Sequence, residues 1–428
     1  MLNKVISALF SNWLAVTFYA LFHALYDIRI EGLANYTASP ATLITINHKR
    51  DLDIPIVASI LHLSKTPFNE NRRMHFVARD DLFHPGFLTA HFPIFGIAGP
   101  LIHRINIKPV MTALRAHPIS HLIRRRIGPL IRELEQTSST IPLKEVVNQP
   151  GFALISAMLG ERKRDNLGDV TVADFLGYSF SSIHQQFADI QILHDDYSRK
   201  LRKRTLNKVS TQLQEITEIL NKGNICMLAP EGQLSPDGRF WPVKSGLFRL
   251  ISMTTSNIRI LPVNTTYDFM TLRRMRIYMT VGHELTELKG LHKISLEQSV
   301  QKSIVTSGPV TLSHLGSEFL LNVLDSGQEQ FKEQECHMMI TRRVKQLRNE
   351  NMRLEERLLT EKSLQKRIDD FLRYCVKKDI INKKEGGSFV VNTRAVKMHT
   401  FNKFHENPVQ YSANELRSLL EWHNHYDR

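Results

Sequence analysis

Short β-branched runs alternate with amphipathic helical stretches between residues 30 and 290, and this alternation restricts the fold more than any other feature of the chain. Residues 41–47 (ATLITIN) predict a strand, followed by a polar turn and the apolar run 54–63. Residues 75–78 make a second short strand. Leu206, Val209, Leu213, Ile216 and Leu220 recur at spacings of three and four, which predicts an amphipathic helix closed by Gly223. Residues 225–229 (ICMLA) then read as a buried strand ending at Pro230, and residues 258–265 and 276–281 add two more. The expected fold class is α/β.

At 428 residues the chain has room for two or three domains and a sizeable core. We expect residues 1–30 to form an N-terminal membrane-associated helix, 31–290 the α/β domain with a helical insertion at 110–205, and 295–428 a mostly helical C-terminal region ending in a short β-like piece at 388–392. With 42% hydrophobic and 23% charged residues, neither wholesale disorder nor a polytopic membrane protein fits. Cys226, Cys336 and Cys375 are far apart and form no C-x-x-C pair, so a disulfide framework and a zinc site of usual spacing are not expected. The net charge of +14 points to an anionic partner, whether nucleic acid, phosphorylated substrate or anionic lipid.

Residues 5–26 choose among these partners. They are 22 residues without a formal charge; as a helix they would reach about 33 Å, enough for a hydrocarbon core of about 30 Å. Trp13, Tyr19 and Tyr26 suit a membrane interface. A membrane-anchoring or membrane-lying helix is the leading reading; a signal peptide and an internal core helix are its rivals. Basic clusters stand at 124–126, 162–164 and 199–204; the last reads as a solvated helix start or as a contact to lipid headgroups. No nucleic-acid motif accompanies them, and no nucleic-acid partner is expected.

His-x4-Asp, in NHKRDLD, is the first chemical candidate, pairing His48 with Asp53. The spacing arises easily by chance among 19 histidines, and His75/Asp80 and His184/Asp189 share it. Five residues along a regular helix leave two side chains about 140° apart, so the pair meets only if His lies in the turn before the helix. Of the three, only His48 has that setting; His75 lies in a strand and His184 within a helical pattern. A His held by a carboxylate suits general-base chemistry on a hydroxyl, and without a G-x-S-x-G motif direct attack by a substrate hydroxyl is favoured over a covalent acyl-enzyme. Asp51 or Asp53 as a helix cap is the plainer alternative. The second candidate is PEGQLS at 230–235, running on to Gly246: glycines, a carboxylate and Lys244 at a strand-to-loop junction suit a polar, anionic ligand.

NHKRDLD and PEGQLS resemble the first and third blocks of the glycerolipid acyltransferases, which include the glycerol-3-phosphate and lysophosphatidate acyltransferases. FVARDDLFHPG (76–86) and GPLIHR (99–104) resemble the approach to the second block and the block itself, and ILPVNTTYD (260–268) resembles the fourth. Four blocks in order over about 220 residues are far more specific than any one of them. The resemblance implies a mixed sheet flanked by helices, with His48 as general base and Asp53 as its orienting partner. It implies that Arg104 contacts the acceptor phosphate, that Glu231, Gly232 and Ser235 form the acceptor loop, and that Pro262 shapes the site. The family's arginine before the third-block serine is Leu234 here, and Arg239 or Lys244 would substitute. The implied reaction transfers an acyl chain from acyl-coenzyme A or acyl-carrier protein to a glycerol phosphate at a membrane, with the site on the cytoplasmic side and no metal or redox cofactor. Backbone N–H groups near the helix start are expected to stabilise the oxyanion. A non-catalytic lipid-binding protein and an acyltransferase for an unphosphorylated acceptor are the alternatives.

Overall fold

A computed structural model describes residues 2–65, 74–91, 99–120, 124–159, 167–184, 186–397 and 406–426. The chain divides into two compact units, one made of Met1–Met74 with Ile219–Arg428 and the other of His75–Glu218.

The first unit is built on five strands: β1 (Asp27–Glu31), β2 (Thr42–Ile46), β3 (Ile225–Leu228), β4 (Arg259–Asp268) and β5 (Arg276–Val281), in the order β1-β5-β4-β2-β3. β2 runs parallel to both β3 and β4, β5 is antiparallel to β4, and β1 is parallel to β5. The sheet is therefore mixed and the α/β expectation holds. Leu43, Ile44, Ile46, Met227, Ile260, Leu261 and Val263 are fully buried. Central strands covered on both faces read as continuous apolar runs, which is why these were visible in the sequence. β1 pairs with β5 through residue-by-residue register, and Arg276 Nε donates to Asp27 Oδ2 at 2.8 Å.

Near the N-terminus α1 (Leu2–Leu25) lies along α2 (Asp53–Lys65). Its inward face carries a polar group: Asn12 Oδ1 meets His62 Nε2 at 2.8 Å, and both residues are buried. Its outward face is apolar, with Leu9, Trp13 and Val16 exposed by 58%, 62% and 54%. A soluble surface helix carries polar residues on that face. Only 17% of the window Ala8–Leu25 is buried, so the internal-helix reading does not hold.

Helices dominate after residue 292, as expected. α3 (Leu312–Asp325), α4 (Glu361–Lys377) and α5 (Pro408–Tyr426) join the first unit, and α3 packs on α5. Buried Arg367 of α4 pairs with Asp268 at the end of β4, and Ser313 of α3 donates to the same carboxylate, so these helices are rooted in the sheet. The β-like piece at 388–392 is the strand Ser388–Val391, central in an antiparallel sheet with Gln330–Lys332 and Ile381–Lys383. Those two partners are three residues each, too short for a periodic signal.

The second unit holds a parallel pair, in which Phe76 to Arg79 lie beside Ala116 to Ile119, and an antiparallel pair, Arg124–Arg126 with Phe187–Asp189. Its core gathers Ile127, Leu130, Ile131, Leu143, Phe175 and Ile183. The basic residues 162–164 lie outside the described residues. In the 199–204 cluster, Arg199 pairs with Asp196 at 2.8 Å, both more than three-quarters exposed, as on a solvated helix surface.

Candidate active site

β2 delivers the first loop. Asn47, at its end, is buried: its Nδ2 donates to Thr265 O at 3.0 Å and its Oδ1 accepts from Thr265 N–H at 2.8 Å. This locks the strand end to β4 and starts the turn at His48. Asp53 opens α2 and is fully buried. Its Oδ2 accepts from the backbone N–H groups of Lys49 (2.6 Å) and Arg50 (2.7 Å), and its Oδ1 accepts from the hydroxyls of Thr265 (3.1 Å) and Tyr267.

His48 Nδ1 stands 3.6 Å from Asp53 Oδ2, with the His48 side chain 16% exposed. Nδ1 is buried and hydrogen-bonds to no described residue. The pair is therefore close but electrostatic, because four donors already hold the carboxylate. Capping the turn and facing the imidazole are thus compatible tasks for Asp53, and catalytic contacts are often long before substrate binds. The Lys49 and Arg50 N–H groups, the first two beyond His48, are taken by Asp53 and so do not serve as oxyanion donors.

The other two His-x4-Asp spacings do not form pairs. His75 Nδ1 meets His117 Nε2 at 2.9 Å, while Asp80 pairs with Lys208 at 2.7 Å. His184 Nε2 bonds Phe175 O at 2.8 Å, and Asp189 accepts from Gln191 N–H. Burial pushes both imidazoles down to about 4, since a charged ring is disfavoured away from water.

β3 delivers the second loop. Gly232 takes φ 69°, a left-handed value that favours glycine, and its N–H donates to Ala229 O. Ser235 N–H donates to His48 O at 2.8 Å, so the backbone ties PEGQLS to the His48 turn. Glu231 is buried, and burial pushes its carboxyl up to about 8 against the pull of the Trp241 and His48 N–H groups and the Lys49 charge. Ser235 Oγ donates to Arg239 O (2.7 Å) and accepts from Gly238 N–H (3.1 Å), closing the following turn. The Arg239 side chain is exposed, 3.6 Å from Asp237, and Lys244 is exposed while its N–H holds Pro230 O. Pro262 sits buried in β4 opposite Thr45 of β2, its carbonyl accepting from Gly282 N–H.

Arg104 belongs to the second unit, exposed just after the short helix Gly99–His103. That helix is seated tightly: a Cβ at Gly99 would stand 2.1 Å from the Tyr178 ring. Sequence reasoning missed Thr265 and Tyr267, although their i, i+2 spacing on a strand puts them on one face. It also missed Lys49, whose buried ammonium pairs with Glu415 of α5, and no local signal links positions so far apart. Among the described residues, the ligand atoms of Glu333, His337 and Asp369 lie within 4.8 Å of one another; the group includes no loop residue, and His337 already pairs with Asp369.

Residues 182–266 match the acyltransferase family. The match includes the PEGQLS loop and most of the 260–268 block; His48 lies before it. Among solved structures, the chain is similar to the crystal structure of the 1-acyl-sn-glycerophosphate (LPA) acyltransferase, PlsC, from Thermotoga maritima, at 13% identity and a TM-score of 0.34, covering 69% of this chain and 78% of that one. No curated protein matches the sequence.

Proposed function

We propose that this chain, whose residues 182–266 match the acyltransferase family, moves a fatty acyl group from an acyl-coenzyme A or acyl-carrier-protein thioester to a hydroxyl of a glycerol phosphate. His48 removes the acceptor's hydroxyl proton at Nε2, and the acceptor oxygen attacks the thioester carbonyl. The tetrahedral intermediate collapses with loss of the thiolate, which takes the proton back from the imidazolium. Asp53, held by four donors, faces Nδ1 and offsets the imidazolium charge as it forms. The observation that carries this reading is the half-buried His48 beside a fully buried Asp53, with the glycine loop bonded to the His48 carbonyl. Purified protein in detergent, given radiolabelled acyl donor and a panel of acceptors, tests it. Acylation of glycerol-3-phosphate or lysophosphatidate is the expected result; faster turnover of an unphosphorylated acceptor would reassign the substrate, and no transfer to any acceptor would favour a lipid-binding role.

For the acceptor phosphate we assign Arg104, with Arg239 or Lys244 in place of the arginine that Leu234 replaces. A guanidinium–phosphate contact is charge-assisted and often bidentate, and lysine does not reproduce its geometry. Loss of a charged hydrogen bond costs about 1.5–3 kcal/mol, roughly 10- to 150-fold in binding. Arg104→Lys and Arg104→Ala should raise KM for a phosphorylated acceptor accordingly and KM for the acyl donor only slightly. Unchanged acceptor KM in both variants would remove Arg104 from the site.

We further propose that α1 holds the protein on the membrane surface and that the site faces the cytoplasm. The exposed apolar face and the polar contact to His62 favour a helix lying at the interface. Removing the first 35 residues would also remove β1, so substitution is the cleaner test. Leu9→Ser, Trp13→Ser and Val16→Ser together should shift the protein from vesicle pellet to supernatant while leaving its thermal midpoint near wild type. Unchanged sedimentation would refute the anchoring role.

A further inference from the structure

Lys49 lies next to the proposed base, yet its side chain is 2% exposed and its ammonium contacts Glu415, 1% exposed, on α5. The other carboxylate oxygen of Glu415 faces His314 Nε2 of α3 at 3.5 Å. His314 Nδ1 accepts from Thr311 N–H, which leaves the ring proton of the neutral imidazole on Nε2, towards Glu415. Burial would raise the Glu415 carboxyl, but Lys49 and His314 outweigh it and hold the group below its usual range. A buried ion pair is a poor source of stability compared with apolar residues of the same volume.

The same helix also grips the second loop. Asn414 Nδ2 donates to Asp237 O at 2.9 Å, and Tyr411 OH reaches Ser235 O at 3.4 Å. Gly238, at φ 89°, passes so close that a Cβ there would stand 2.2 Å from Tyr411 O. One helix thus touches the His48 turn and the PEGQLS loop, which are joined to each other by the Ser235–His48 backbone bond. Lys49 is the link to the base. Its ammonium is fixed by α5, and its N–H donates to Asp53 Oδ2.

We infer that α5 braces the two loops of the site, and that Glu415 is a positioning residue for acyl transfer, acting through Lys49. The inference rests on the proposed function for its kinetic arm and not for its second arm. In the full chain, Glu415→Gln should lower kcat about tenfold or more, with both KM values little changed, as expected when a reacting group is displaced by a fraction of an ångström. Lys49→Met with Glu415→Gln removes both charges and should recover the thermal midpoint but not kcat. Recovery of both would show the pair to be merely structural and would overturn the inference. If that double variant does not fold, Glu415→Asp keeps the charge and withdraws it by one methylene; it should lower kcat, and an unchanged kcat overturns the inference. The second arm is carbethoxylation of His48 by diethyl pyrocarbonate, read by mass spectrometry against exposed His292. Its rate should shift severalfold in Glu415→Gln whether or not acyl transfer is detected. An inactive wild type with shifted labelling therefore defeats only the acyl-transfer reading, whereas unchanged labelling defeats the brace.

Discussion

Replacing His48 by alanine lowers acyl transfer by about 10²–10⁴-fold, the usual contribution of a positioned general base. The side chain is only 16% exposed and its Nδ1 has no hydrogen-bond partner among the described residues, so truncation leaves few protein contacts broken. The thermal midpoint should therefore move little while the rate collapses. His75→Ala and His184→Ala are the controls, since both rings are bonded away from their nominal aspartates. Steady-state rates with a saturating acyl donor give the comparison. More than a tenth of wild-type activity in His48→Ala would exclude it as the base.

Asp53 should show the second-largest effect, on rate and stability together. Asp53→Ala leaves four buried donors, the N–H groups of Lys49 and Arg50 and the hydroxyls of Thr265 and Tyr267, without their acceptor. Unsatisfied buried donors cost about 1–3 kcal/mol each before relaxation, so a loss on the order of several kcal/mol is expected in urea unfolding. Asp53→Asn separates the two roles. Its amide oxygen can still accept from the two N–H groups, and the hydroxyls can rotate to accept from its NH₂. Stability should fall much less than in Asp53→Ala. The negative charge that faces the imidazolium is nevertheless gone, and the rate should fall by about 10²-fold or more. An asparagine variant with full activity would leave Asp53 as a turn cap alone.

Local pattern was enough for what local physics controls. β2 and β3 were legible because a strand buried on both faces reads as a near-continuous apolar run, β4 and β5 through their β-branched stretches, and α2 because its apolar run follows a polar turn. The geometry of one helical turn likewise separated His48 from His75 and His184 without any coordinates. Strands of three residues escaped, because a period of two needs more repeats than they offer.

The remainder needed the folded chain. Asp53 could be named as a partner for His48, but its occupancy by Thr265, Tyr267 and two backbone N–H groups follows from β4 lying beside β2. That occupancy is why His48 stands 3.6 Å away instead of hydrogen-bonded. Glu415 is 366 residues from Lys49 and sits on a helix whose sequence gives no sign of a site. The residue types of the base, the turn and the glycine loop are written locally, because they must suit bonds to near neighbours. Their distances, and the charges that face them, are set by which distant elements the sheet and α5 bring together, and no local pattern encodes that.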